Sequence, residues 1–275
     1  MHYEGYWGFS CAPFENVPDP RFYFPSPSHE EGLHRVLYAV EARKGAAMLT
    51  GDIGCGKTTL SRAFLQHLAH ERFDTAVVAN PALEAEEFLA EILYQLGLPS
   101  HGLKKIELLH RLNDRLLDNL KRKKDTVVIV DEAQAIEDGT VFEQLRLLLN
   151  FQLNDRFLLT LVLLGQPELV DRVNAIPQLS QRVGIRFHLK PFDLKETTRY
   201  LEFRVKAAGG ATQPFAQDAV DMIYAHAGGI PRNINTVADL CLLSGFLERK
   251  WQIDAALVSR VIEDFQLGGV RGTAH

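Results

Sequence analysis

Continuous apolar runs and apolar positions at helical spacing alternate along the first two thirds of this chain. Ala46–Thr50 ("AAMLT"), Thr75–Ala79 ("TAVVA"), Thr126–Val130 ("TVVIV"), Leu158–Leu164 ("LLTLVLL") and Ile185–Leu189 ("IRFHL") are short and unbroken, which predicts strands buried on both faces. Between them the period lengthens to that of an amphipathic helix. Leu33, Val36, Leu37 and Val40 share one face of a helix predicted over Glu30–Arg43, and Leu60, Phe64, Leu65 and Leu68 point inward from the next. "EAEEFLAEILYQL" and "VFEQLRLLLNF" follow the same rule, and a further amphipathic segment carries Ile106, Leu109, Leu116 and Leu120. Strands and helices in this alternation predict an α/β fold with a parallel sheet covered on both faces.

The two ends of the chain depart from that pattern. Residues 1–30 are rich in aromatics and proline (Tyr3, Tyr6, Trp7, Phe9, Phe14, "PDPRFYFPSP"), which suits neither helix nor central strand. The segment is too aromatic for a solvated tail and is expected to pack on the core. After Pro191 every stretch reads as helix: "DLKETTRYLEFRVKAA", "FAQDAVDMIYAHAGG", "PRNINTVADLCLLSGFLERK" and "DAALVSRVIEDFQL". Asp193 and Glu196 have capping-box spacing, and Pro231 after Gly228–Gly229 fits the first turn of a new helix. The expected organisation is an N-terminal segment over 1–30, an α/β domain over 31–190, a helical domain over 191–267 and a tail over 268–275.

Composition narrows the class without naming the chemistry. Hydrophobic residues are 46% and charged residues 24% of 275, ordinary for a globular protein, and the net charge of −5 gives no general attraction to nucleic acid. The longest apolar run, Phe157–Gly165, falls far short of the ~20 residues a membrane span needs. The opening "MHYEGYWGFSCAPF" lacks the basic start and apolar stretch of a secretory leader. Cys11, Cys55 and Cys241 are scattered and odd in number, so neither a disulfide framework nor a zinc site is expected, and a cytoplasmic setting follows. The basic run Lys121–Lys124 closes an amphipathic segment, where it complements a helix C-terminus; a phosphate-binding patch is the less favoured alternative.

The chemistry is concentrated in "TGDIGCGKTT". Gly51, Asp52, Ile53, Gly54, Cys55, Gly56, Lys57, Thr58 and Thr59 lie between a predicted strand and a predicted helix, the context of a phosphate-binding loop. Glycines let backbone N–H groups converge on phosphates at a helix N-terminus. Lys57 adds a point charge for the β- and γ-phosphates and is expected to face solvent without them, while the Thr58 hydroxyl is placed to ligate Mg²⁺. Some seventy residues later "VVIVDE" ends a strand in Asp131, suited to Mg²⁺, and Glu132, suited to orient and polarise an attacking water. Together they predict an ATPase using ATP and Mg²⁺. Cys55 could act as a redox switch but fits better as a variable loop position, and His67 and His70 read as surface.

"APFENVPDPRFYF", "LTGDIGCGKTTL", "VVIVDEAQ", "LRLLLNFQ", "LVLLGQPEL" and "AGGIPRNIN", in that order over residues 6–265, resemble the AAA+ ATPases of the ExeA or general secretion pathway protein A group. Transposition regulators of the TnsC and MuB kind are more distant relatives. The resemblance implies a P-loop αβα core with a helical lid, nucleotide bound between them, and hydrolysis at the subunit interfaces of a homo-oligomer. It implies a polar sensor at Gln166, a trans-acting arginine finger at Arg182 (Arg186 the alternative) and a nucleotide-contacting lid arginine at Arg232. Secretion-type members commonly continue into a membrane span and a peptidoglycan-binding domain; neither follows before His275, so no membrane insertion is expected. The "DEAQ" motif is not expected to signal a helicase, since residues 191–275 read as too few and too helical for a second nucleotide-binding core. Three roles stay open: an assembly ATPase of a secretion, pilus or exopolysaccharide complex; a DNA-binding ATP switch; and a weakly hydrolysing scaffold.

Overall fold

The computed structural model describes residues 3–270. They group into two compact units: one holds Pro27–Asp52 and Leu60–Leu189, the other the chain up to Ser26, the segment Ile53–Thr59 and the chain from Lys190 onward.

The first unit is built on five strands, β1 (Ala46–Gly51), β2 (Phe73–Val78), β3 (Asp125–Val130), β4 (Leu159–Gly165) and β5 (Val183–Leu189). They form one parallel sheet in the order β2-β3-β4-β1-β5. β1 and β4 are buried along their whole length, as their unbroken apolar runs require. Around the sheet run α2 (Pro27–Glu41), which follows a short α1 (Glu4–Trp7), then α3 (Lys57–His67), α4 (Ala85–Gln95), α5 (Lys105–Lys121), α6 (Gly139–Leu148), α7 (Glu168–Asn174) and α8 (Pro177–Ser180). α2 begins three residues before its predicted start, because Pro27 fits a first helical turn. α5 buries Leu108, Leu112 and Leu116, whereas Ile106, placed on the inner face by the sequence, is exposed. Lys121 and Arg122 end this helix and pair with Asp118 of the preceding turn, and Lys124 donates to the His70 carbonyl at 2.7 Å. Those contacts favour the helix-terminus reading of the basic run.

The second unit contains α9 (Leu194–Ala207), α10 (Gln217–Ala227), α11 (Pro231–Leu247) and α12 (Ala255–Val270). Asp193 caps α9 in a reciprocal box with Glu196, and Pro231 opens α11. α12 runs three residues into the expected tail; residues 271–275 lie outside the described ones. Gly228 ends α10 in a left-handed conformation. At Gly229 a Cβ would stand 1.9 Å from the Phe192 carbonyl oxygen, so the paired glycines of "GGIPRN" stop one helix and let the chain pass Phe192.

The N-terminal aromatics do not join the sheet's core. Tyr3, Phe9, Phe14 and Phe22 share a buried cluster with Phe192, Tyr200, Ile223, Ile234 and Leu257 of the helical unit. The segment also contains α1 and a 3₁₀ turn at Pro20–Phe22, helical structure that its proline content argued against. Its anchor is Arg204, which is 4% exposed and makes no ion pair among the described residues. Its guanidinium donates to the carbonyls of Pro13 and Glu15 and to the Tyr200 hydroxyl, and lies 4.4 Å from the centre of the Phe22 ring. Nothing in the sequence separates Arg204 from the solvated arginines around it.

Candidate functional site

At the end of β1 the chain runs through Asp52 into Ile53–Thr59, and α3 starts at Lys57. The glycines here have separate duties. Gly51 lies against Leu189 of β5, where a Cβ would stand 3.0 Å from the Leu189 carbonyl oxygen. Gly54 and Gly56 have φ of +84° and +93°, the left-handed region that favours glycine. A Cβ on Gly54 would also stand 2.7 Å from the Cβ of Arg232, whose backbone N–H donates to the Gly54 carbonyl at 3.2 Å. Arg232, in the first turn of α11, is thus fastened to the loop by its backbone while the residue itself remains exposed.

Lys57 is only 5% exposed, contrary to the expectation that it faces solvent. It opens α3 directly after Gly54 and Gly56, both of positive φ. Cys55 is completely buried, Ile53 is 58% exposed, and Thr58 and Thr59 are half-buried. A run of backbone N–H groups at the start of an eleven-residue helix, with a lysine at its first position, fits a polyphosphate.

In the sheet unit, β3 ends into Asp131 and Glu132 at the edge where β1 also ends, because all five strands are parallel. Asp131 is 7% exposed, its N–H donates to the Val78 carbonyl, and its Oδ1 accepts from the Glu132 N–H at 2.9 Å. Glu132 has φ of +50°. The other non-glycine residues with positive φ among those described, Arg43, Lys123 and Arg249, each follow a helix; Glu132 alone follows a strand. Its carboxylate accepts a hydrogen bond from the Gln134 side-chain NH₂, and the Gln134 side-chain Oε1 accepts from the Gln166 backbone N–H at 2.9 Å. Gln166 therefore lies just beyond β4 at the same edge, and what it offers Gln134 is its main chain. Gln134 is the residue sequence reasoning missed. The "DEAQ" motif displayed it, but a contact spanning 32 residues cannot be read from spacing.

Arg182 and Arg186 occupy different surroundings. Arg186, within β5, donates to the Asn174 side chain at 2.9 Å and to the Ser180 hydroxyl at 2.7 Å, so its guanidinium ties α7 and α8 to the strand. Arg182 precedes β5, and one of its terminal nitrogens is buried without a hydrogen-bond partner. It sits at the amino end of the sheet, opposite Asp131 and Glu132. Seven residues of strand separate those edges by about 20 Å at ~3.3 Å per residue.

Among the described residues no group of three His, Cys, Asp or Glu side chains converges as a metal cage, and no helix is long and apolar enough to cross a membrane. Mg²⁺ asks for less, since it is commonly held by one or two protein oxygens together with substrate phosphates and water. Thr58 and Asp131 are oxygen donors of that type.

Residues 40–173 match the AAA domain family. The chain is 37% identical over 272 residues to General secretion pathway protein A of Aeromonas hydrophila, an alignment covering 98% of this chain and 49% of that protein. It thus spans about half the length of that relative. Among solved structures, the ORC2 protein of Aeropyrum pernix superposes with a TM-score of 0.65 at 17% identity, over 89% of this chain and 70% of its own. The ORC1 protein of that organism, in complex with DNA, gives 0.67 at 18% over 92% and 69%. A RuvB variant of Thermotoga maritima gives 0.59 at 20% over 85% and 68%. A five-stranded parallel sheet flanked by helices, a glycine loop opening α3 and a helical C-terminal region make this the AAA+ P-loop fold. Within that fold, the chain's similarity is to General secretion pathway protein A, over about half of that protein.

Proposed function

We propose that this chain binds Mg·ATP through Gly51–Thr59 and hydrolyses it to ADP and phosphate within a cytoplasmic homo-oligomer that serves a secretion, pilus or exopolysaccharide assembly. The observation that carries the reading is the Asp131–Glu132 pair, which leaves the sheet at the edge where β1 enters the glycine loop. Mg²⁺ supplies charge neutralisation at the phosphates. Thr58 and Asp131 would hold it, Lys57 would place its ammonium at the β- and γ-phosphates, and Arg232 would contact the nucleotide from α11. Glu132 orients the attacking water and takes up its proton, and Gln166 is the polar group beside the γ-phosphate. Arg182, at the far edge of its own sheet, reaches the nucleotide of a neighbouring subunit.

The name of the Aeromonas relative supports a secretion-type client, while the likeness to DNA-associated structures extends to the fold. Lys57→Ala and Glu132→Gln test the reading together. ATP at a hundred times its dissociation constant stabilises the wild type by ~2.7 kcal/mol. The Lys57→Ala variant is expected to lose that thermal shift; Glu132→Gln keeps it, hydrolyses very slowly and accumulates as a larger ATP-bound assembly. Wild-type turnover in Glu132→Gln removes Glu132 from the chemistry. Hydrolysis stimulated by duplex DNA, with steep salt dependence, identifies a DNA-dependent switch instead.

A further inference from the structure

The bridge from Glu132 through Gln134 to Gln166 uses chemistry that only a carboxamide of this length supplies. On one side stands a backbone N–H, which can only donate; on the other stands a carboxylate, which accepts. Gln134 meets both, and these two neighbours fix which way its amide faces. The bridge is built into its surroundings. Gln134 is the middle residue of a 3₁₀ turn, Ala133–Ala135, and Arg172 of α7 clamps that turn by donating to the Ile136 carbonyl. Gly165, the last residue of β4, leaves the space the amide occupies: a Cβ there would stand 2.8 Å from the Gln134 side-chain oxygen. Glu132 meanwhile adopts a backbone conformation that bulky L residues seldom take, which turns its side chain back toward that amide.

We infer that Gln134 is a positioning residue: it sets the orientation of the Glu132 carboxylate and couples it to the end of β4 at Gln166. The inference rests on the proposed hydrolytic role of Glu132. A carboxylate that must line up a water gains from one fixed donor, because misplacement of a reacting group by ~1 Å can cost 10²-fold in rate. The same bridge passes any shift of the Gly165–Gln166 turn to Glu132 through a single side chain.

Two substitutions separate the ends of the bridge. Gln134→Leu removes both contacts. Gln134→Glu keeps an acceptor for the Gln166 N–H, and so supports the turn, but offers no donor to Glu132 and places a like charge beside it. Both are expected to lower kcat at least tenfold with the dissociation constant for ATP unchanged, and Gln134→Glu does so without loss of thermal stability. In the Glu132→Gln background, Gln134→Leu should bring no further loss. A wild-type kcat in both Gln134 variants, a rate loss confined to a thermally destabilised Gln134→Leu, or fully additive losses in the double variant would each overturn the positioning role while Glu132→Gln stays inactive. Wild-type turnover in Glu132→Gln itself would instead remove the reading beneath it.

Discussion

Gly54 meets two demands at one Cα: a left-handed φ of +84° and a neighbouring Cβ, that of Arg232, where its own would lie. The first costs an L residue roughly 1–2 kcal/mol. The second cannot be relieved by a rotamer change, because the obstructing atom is the root of the arginine side chain. Gly54→Ala must therefore push the loop and the start of α11 apart. An ATP affinity at least tenfold weaker is expected, the equivalent of ~1.4 kcal/mol, and calorimetric titration measures it. Wild-type affinity would mean that the loop does not depend on this approach. The need for glycine was legible in "GDIGCGKTT"; the partner was not, because Arg232 lies nearly two hundred residues away. The same limit hid the burial of Lys57, which depends on how the loop is folded and not on its composition.

At the scale of elements, Arg204 joins the N-terminal segment to α9. Its donors satisfy the carbonyls of Pro13 and Glu15, both remote in sequence, and its charge rests on aromatic faces in place of a carboxylate. Arg204→Ala would leave the carbonyl of buried Pro13 without its donor, at ~1–3 kcal/mol. It would also remove the guanidinium's contact with the Phe22 ring, while the carbonyl of exposed Glu15 can turn to water. A total loss of ~2–5 kcal/mol is expected from urea denaturation. Arg204→Lys should recover only part of it, since one ammonium cannot reproduce the planar fork. A loss below ~0.5 kcal/mol, the range of ordinary surface substitutions, would show that the arginine is not an anchor. The helices themselves were visible as apolar periodicity, and their ends as the Asp193 box and Pro231. The destination of the N-terminal aromatics was not, because periodicity says that a residue is buried and not against what.

For the molecule as a whole, the proposal that matters most is a site completed by a second copy. Arg182 stands at the opposite edge of the sheet from Asp131 and Glu132, about 20 Å away along β5. That distance is too great for an arginine to reach its own subunit's chemistry, and it supports action in trans. An arginine finger contributes about 10³–10⁵ in rate in well-studied phosphoryl transfers. Arg182→Ala is therefore expected to bind ATP and be nearly inactive. Mixed with Lys57→Ala, also inactive, it should regain activity, because some interfaces then pair an intact loop with an intact arginine. A co-assembled mixture without activity would exclude Arg182. Arg186 would not take its place without first releasing Asn174 and Ser180.

Composition and spacing alone determined the alternation of buried strands and amphipathic helices, the helical C-terminal region, the glycine-rich loop between β1 and α3 and the acidic pair at the end of β3. Each of these is a local property: the period of apolar positions, or a motif held within ten residues. Tertiary structure alone decided which partners those residues have. It placed Arg232 against Gly54, put Gln134 between Glu132 and Gln166, committed Arg186 to α7 and α8, and buried Arg204 under the N-terminal segment. The physical reason is common to all four: hydrogen-bond satisfaction and close packing act between atoms that meet only when distant stretches of chain are brought together, and linear spacing carries no record of those meetings.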